Sequence, residues 1–430
     1  MSQNDASFEG TVDEHIAARI VYWMGGPYFA LNLRRASRRC AALVPAPAKR
    51  KKAREIARIS LMIGDLGKCR ELLAHCDDDG RDDFFSNVVY NATIYDRCCI
   101  LELVFSMAKK RTLEYKHSAM YYAALNGNRK LCEFICGHVL DDNEWKRCSV
   151  EIRANVFAEM MTGATIAGRI DLFELGREWC EEYVHSLPNL SGPLQRAALN
   201  GTIDICKRAL SLASDHGQET NIDNVLQWAA QGNQRAMCEF AKERGARNFT
   251  SMFYGAAVGE DIELCKLARE WLDAAGQCDL AALRDMVMIA VRVAGFEIFR
   301  IAYGWWIAKL GHGVNLAEIR EIFIDSAKSG GLKACEFLYD IMSRYAREHS
   351  GDETRALMTE IIEEAMAWSV AYKCTKVCKF MHSCGARNYE MCLDYADTED
   401  HDMALRGFES YNGKTRALVA EWIAERNAAQ

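Results

Sequence analysis

Tyr121-Tyr122-Ala123-Ala124-Leu125-Asn126-Gly127-Asn128-Arg129-Lys130-Leu131-Cys132 decides how this chain is read, because its pattern returns along the sequence. Gln195 to Cys206, Gln227 to Cys238 and Tyr254 to Cys265 align with it on their final cysteine. With that residue as anchor, weaker copies complete a column of Cys69, Ile100, Cys132, Phe173, Cys206, Cys238, Cys265, Phe299, Cys335 and Cys378, every member apolar or a thiol. Nine residues earlier stand Ser60, Asn91, Ala123, Ala164, Ala197, Ala229, Ala256, Ala290, Ser326 and Ser369, where nothing bulky occurs. Twelve residues before the anchor the column is apolar throughout, from Ala57 and Val88 to Phe323 and Met366. The anchors run from 69 to 378 in nine steps, a mean of about 34 residues, which is the period of a helical repeat.

The spacing gives the geometry of each unit. Positions minus twelve, minus nine and minus eight share one stripe of a first helix, and positions minus one, zero, plus two and plus three share a stripe of a second. Between them lies a short turn rich in Gly and Asn, as in Asn126-Gly127-Asn128, Asn200-Gly201 and Gly330-Gly331, where positive φ costs little. Asp171, Asp204 and Asp261 follow that turn and are expected to cap the second helix. Gly245-Ala246 and Gly385-Ala386 supply its stop signals. A lone pair of short helices cannot bury both stripes, so neighbouring pairs must stack.

Ala-Ala, a Gly/Asn turn, an Ile/Leu-Cys second helix and a Gly-Ala ending at this period resemble ankyrin repeats. More narrowly, Ile262 to Trp271 and Arg244 to Ala257 resemble the divergent ankyrin-like arrays encoded by large double-stranded DNA viruses. The resemblance covers roughly residues 55–430 and implies an all-α fold, an α-solenoid of about ten to eleven helix-turn-helix repeats that binds a protein partner, probed first among host proteins. The Thr-Pro-Leu-His start of cellular ankyrin repeats is absent, and the chain has only 5 Pro, so plain helix pairs are expected in place of protruding hairpins. Longer gaps before Phe173 and Cys378 imply insertions near 141–155 and 343–358, which are candidate recognition loops.

Residues 12–44 have a different pattern, after an opening 1–11 read as disordered. Two short amphipathic helices are expected around the break Gly25-Gly26-Pro27, and the stretch Ser37-Arg38-Arg39-Cys40-Ala41-Ala42-Leu43 resembles part of an F-box. That resemblance implies docking on the adaptor of a cullin-based ubiquitin ligase through Ile16, Ile20, Leu31, Leu33 and Leu43. The alternative is an amino-terminal cap for the repeat array. Residues 45–54 form a Pro-containing linker whose Lys49, Arg50, Lys51 and Lys52 are a basic patch, read either as a solvated run or as a nuclear-import or phosphate contact.

Composition narrows the function. The net charge of −7 and pI near 5.9 disfavour nucleic acid as partner of the whole chain. No signal-like opening or unbroken apolar span is present, so no membrane role is expected. Seven of the 18 cysteines stand in the repeating core column, and the set reads as reduced thiols in an intracellular compartment, cytoplasm before nucleus. Cys374, Cys378, His382 and Cys384 have the spacing of a metal cluster, yet the repeat already accounts for Cys378, and no metal or cofactor is assigned. No phosphate loop, GxSxG elbow or HExxH helix occurs, so a non-enzyme is expected. The candidate partner-binding row is position minus eleven of each first helix, off the apolar stripe and chemically varied: Tyr121, Gln195, Gln227, Tyr254 and Ile324. Trp305 and Trp306 are expected to pack within their own unit. A structural or virion-associated role, or a nucleic-acid factor working through residues 34–54, remain the competing readings.

Overall fold

The structure is a computed structural model; it describes residues 66–67, 86, 88–107, 112–311, 315–405 and 413–429. Every regular element among them is a helix. Two compact units divide the described residues, one up to Ala197 together with 204–219, the other of 198–203 together with the residues from Thr220 onward.

In the first unit α1 spans Cys98–Met107, α2 Thr112–Leu125, α3 Arg129–Leu140, α4 Asn143–Arg147, α5 Val150–Ile166 and α6 Ile170–Val184. Helix α7 (Ser191–Asn200) lies in this unit through Ala197, and α8 is Ile203–Asp215. Helix α2 packs on its partner α3 and on the next first helix, α5, which in turn packs on α6. The second unit repeats this plan. Its pairs are α9 (Ile222–Gln231) with α10 (Arg235–Glu243), α11 (Phe249–Val258) with α12 (Ile262–Ala274), and α13 (Leu280–Val293) with α14 (Phe296–Leu310). They continue as α15 (Leu316–Lys328) with α16 (Leu332–Glu348), α17 (Asp352–Ala371) with α18 (Thr375–Ser383), and α19 (Tyr389–Leu405) with α20 (Gly413–Ala429). Each first helix also packs on the first helix of the following pair, from α9 to α19.

The sequence columns are the core. Cys132, Phe173, Cys206, Cys238, Cys335 and Cys378 are fully buried, as are Ala123, Ala164, Ala197, Ala229, Ala256, Ala290, Ser326 and Ser369. A recurring hydrogen bond explains why the small column is so regular. The N–H four residues before the anchor donates to the carbonyl nine before it: Asn128 to Ala123 at 2.9 Å, Arg169 to Ala164 at 2.8 Å, Gln234 to Ala229 and Asp261 to Ala256 at 2.9 Å, Cys374 to Ser369 at 2.7 Å. With a left-handed residue just before the donor, this bond closes the end of these first helices, whereas α13 ends on the Ala294 N–H donating to the Ala290 carbonyl at 3.1 Å, with Ala294 extended. That left-handed position holds Gly127, Gly168, Gly201 and Gly330, and also Asn233, Glu260 and Lys373.

The same bond corrects one register. In the earliest described pair it runs from Arg97 to Ala92 at 2.8 Å, after a left-handed Asp96. The anchor there is Leu101 rather than Ile100, and the small residue is Ala92 rather than the half-buried Asn91. Asn91 passes for a small residue by sequence, and no glycine marks the turn.

The capping expectation holds for Asp261, which accepts from the Leu264 N–H at 2.9 Å, but not for the other two aspartates. The N-cap is the residue four before the anchor, whereas Asp171 and Asp204 sit two before it, inside the first turn. Asp171 is instead bound by the Arg169 guanidinium at 2.7 Å. Gly245 and Gly385 do adopt positive φ, with Ala246 and Ala386 buried behind them. The insertion at 141–155 is an ordered helical turn: Trp145 is buried, and Asp142 accepts from the buried Lys116 Nζ at 2.5 Å. The surplus at 343–358 makes no long loop, because α16 and α17 lengthen to absorb it.

Second helices are joined by a side-chain ladder. The residue four after one anchor lies on the residue six after the next, with Lys242 Nζ 4.1 Å from the Trp271 ring and Arg269 5.2 Å from Trp305; His382, four after Cys378, stacks on Trp422 of α20 at 3.9 Å. Trp306 is buried beside Tyr303 of its own helix, as expected, whereas Trp305 lies against Arg269 and Phe253 of the preceding pair rather than within its own unit.

A tyrosine-lined cleft as candidate functional site

With the corrected register, position minus eleven in the first unit reads Tyr90, Tyr121, Thr162 and Gln195. Tyr90 is 41% exposed and the other three are half-buried. In the second unit the row begins with half-buried Gln227 and exposed Tyr254, then turns inward through buried Met288, Ile324 and Ala367. Ile324 therefore leaves the proposed contact row. It sits in an unbroken buried run from Ile322 to Ala327, where neighbours cover α15 on every side, so lying off the apolar stripe does not make it a surface residue.

The first unit turns its part of the row into a cleft of about 450 Å³ across α2, α5 and α7. Tyr122 stands edge-on to both Tyr90, with ring centroids 4.8 Å apart, and Tyr121, at 5.1 Å. Such edge-to-face contacts hold rings that keep a face or an edge to solvent. Tyr121 lines the cleft beside His117 from the same helix, Glu159 and Thr162 come from α5, and Gln195 and Arg196 come from α7. Helix α5 approaches because Gly163 has no side chain: a Cβ there would lie 2.3 Å from the Tyr121 carbonyl oxygen. Tyr121 and Thr162, on either side of that contact, both line the cleft.

Although Glu159 itself is exposed, partial desolvation shifts the pKa values of these groups. It lowers the pKa of His117 to about 4, so the imidazole is neutral near pH 7, and its Nε2 is buried without a hydrogen-bond partner among the described residues. Burial also raises the pKa of Glu159, opposed by the nearby Arg196 charge, and raises that of Tyr121. Thr162 Oγ donates to the Ala158 carbonyl at 2.7 Å, which leaves its lone pairs turned to other donors. Phenols, a carboxamide, a neutral imidazole and one charge of each sign together suit the binding of a polar segment.

A second groove, of about 660 Å³, lies between α10 and α12 in the other unit. Its aromatic floor is already occupied: Lys242 covers the Trp271 ring, and Phe249 packs edge-on to it at 5.7 Å. The cysteine and histidine group at 374–384 is also engaged elsewhere. Cys378 is buried, Cys374 Sγ reaches the Lys328 carbonyl at 3.4 Å, and His382 Nε2 meets the Tyr389 hydroxyl at 2.9 Å while its ring stacks on Trp422. Among the described residues no three potential ligands are placed to share a metal ion. Glu363 lies half-buried and accepts from the backbone N–H groups of Arg387 at 2.9 Å and Asn388 at 2.5 Å, which joins α17 to the start of α19. No helix among the described residues is long and apolar enough to cross a membrane.

Ile16, Ile20, Leu31, Leu33, Leu43 and the basic Lys49, Arg50, Lys51 and Lys52 lie outside the described residues. Within them, the sequence found Tyr121 and Gln195 but missed Tyr90, through the register slip, and His117, Glu159 and Arg196, which join the cleft only when three helices meet. Comparison of the whole chain with family models and with characterised proteins finds no match in either.

Proposed function

We propose that the chain is a protein-interaction scaffold of ankyrin-like helix pairs, stacked as a solenoid, that holds a partner through the first-helix row centred on Tyr121. The observation that carries this reading is the row itself. Chemically varied side chains stand at one repeated position on a rigid frame, and in the first unit three tyrosines gather beside a cleft. Tyrosine is enriched among the few interface residues that dominate binding energy, since it brings a large ring and a hydroxyl at small entropic cost. The F-box resemblance of residues 12–44 extends the proposal: a partner held on the row would be presented to a cullin adaptor.

Affinity purification from cells tests both parts. The Tyr90→Ala plus Tyr121→Ala variant should lose a specific set of proteins that a Tyr372→Ala variant, altered at an exposed tyrosine of the second unit, retains. Identical protein sets from the two would remove the row from the function. Leu31→Ala plus Leu43→Ala should lose the cullin adaptor; its absence from wild type as well would end the ligase part alone.

A further inference from the structure

We infer that Ser149 is a phosphorylation site, modified by a serine kinase that reads basic residues before its acceptor, and that Arg153 holds the phosphate. The site stands apart from the partner row and does not depend on it. Lys146-Arg147-Cys148-Ser149-Val150 places two cations three and two residues before the hydroxyl, with an apolar residue directly after it. Lys146, Arg147, Ser149 and Val150 are all exposed, and neither cation has an ion pair among the described residues. They are open to the carboxylates with which such kinases select cationic substrates. The backbone is open as well. Ser149 joins α4 to α5 with φ −60° and ψ 157°, an extended conformation. Helix α4 has only five residues, so Lys146 and Arg147 unwind from it at little cost while buried Trp145 keeps the segment in place. Ser149 Oγ accepts from the Ile152 N–H at 3.3 Å, and its own proton goes to no described group. Ser211 lacks this access: Arg208 stands three before it, but Glu174 binds that guanidinium at 2.5 Å and the serine lies inside α8, where the backbone stays helical.

In the transfer, the Ser149 oxygen bonds to the γ-phosphorus of ATP as the bond from that phosphorus to the β,γ-bridging oxygen breaks. ADP leaves, and the hydroxyl proton passes to the catalytic carboxylate of the kinase. The product carries a charge of about −2 at the start of α5, where unpaired N–H groups and the helix dipole favour an anion. Arg153 supplies the counter-charge. It stands four residues on, one turn along the same face, and its guanidinium lies 5.4 Å from the centre of the Trp145 ring, which directs it back toward the α4–α5 corner. It has no ion pair among the described residues, and a guanidinium matches phosphate oxygens with paired donors. Across 145–153, Lys146 and Arg147 add two further cations against the single carboxylate of Glu151.

The test uses the full chain carrying Ser37→Ala, which removes the serine that follows Arg34-Arg35-Ala36 in a similar pattern. It is incubated with ATP and the catalytic subunit of the cyclic-AMP-dependent protein kinase, and a standard peptide substrate in the same tube confirms the kinase. Mass spectrometry is expected to place phosphate on Ser149. Arg147→Gln should slow its addition by about tenfold or more, the range for losing a hydrogen bond to a charged group. Phosphorus NMR then follows the titration of the one resonance that Ser149→Ala removes. Its second pKa is expected below the value of about 6 for phosphoserine, and Arg153→Gln should return it there. A folded chain left unmodified at Ser149 while the excised 142–155 peptide is phosphorylated, or addition at an unchanged rate in Arg147→Gln, would overturn the site. A phosphate whose titration ignores Arg153→Gln would refute Arg153 as its holder.

Discussion

Gly163→Ala and Gly137→Ala are the same chemical change in two helices of one unit, and they should act in opposite directions. Gly137 is exposed within α3, with nothing within 4 Å of where a Cβ would stand. Alanine there removes the entropic penalty of a helical glycine and should raise stability by about 0.5–1 kcal/mol. At Gly163 the same gain is available, but the new methyl would sit 2.3 Å from the Tyr121 carbonyl oxygen and 3.0 Å from the Leu125 nitrogen. A carbon rests no closer than about 3.3 Å to such an oxygen, so α5 must retreat from α2 by about 1 Å. The backbone offers no flexible side chain to move instead. Fully buried Phe157, Met160, Met161 and Ala164 would lose packing with that shift, an overpacking cost of about 1–3 kcal/mol. The net expectation is a loss of about 1–2 kcal/mol, together with weaker partner binding, since Tyr121 and Thr162, which line the cleft, lie on the two helices that part. Urea unfolding of the full chain, followed by tryptophan fluorescence and by circular dichroism, measures both variants. A Gly163→Ala protein as stabilised as Gly137→Ala would refute the close approach of these helices.

Lys116→Ala should cost about 3–5 kcal/mol in the same assay, because it breaks the nearly buried Lys116–Asp142 ion pair beneath the 141–149 segment; the double change Lys116→Met with Asp142→Leu should recover most of that loss. Glu260→Gly and Lys373→Gly, at left-handed turn positions, should each stabilise by about 1 kcal/mol, and a loss in calorimetry would argue against that backbone. Folding depresses the His117 pKa from 6.5 to about 4, so the unfolded chain binds the proton first; this residue's contribution is complete above pH 6.5 and declines as pH falls toward 4, by at most about 1.4 kcal/mol per pH unit. His117→Asn should flatten that part of the pH–stability profile, and an unchanged slope would show that His117 is not the group responsible.

Much of the fold was legible in the sequence because helix pairing is a local matter. Small residues nine before each anchor, a turn that tolerates positive φ, and apolar stripes of helical period all act within about 15 residues of one another, so they leave a periodic trace in the chain. The register slip at Leu101 came where Asn91 and Asp96 replaced the usual alanine and glycine and blurred that trace. Burial of Ile324 escaped notice for another reason: periodicity tells which face of a helix meets its own neighbours, not whether further elements cover the remaining faces.

The sequence by itself therefore determined that the chain is helical, that its helices come in pairs, and which thiols and small residues fill the core. Only the tertiary structure decided that Gly163 lets α5 settle against the Tyr121 carbonyl, that Tyr90, Tyr121 and Tyr122 gather on one surface, and that His117, Glu159 and Arg196 share a cleft. Those residues lie far apart along the chain, and no local propensity encodes their meeting; it arises from the distance at which separate helices come to rest once their buried faces are packed.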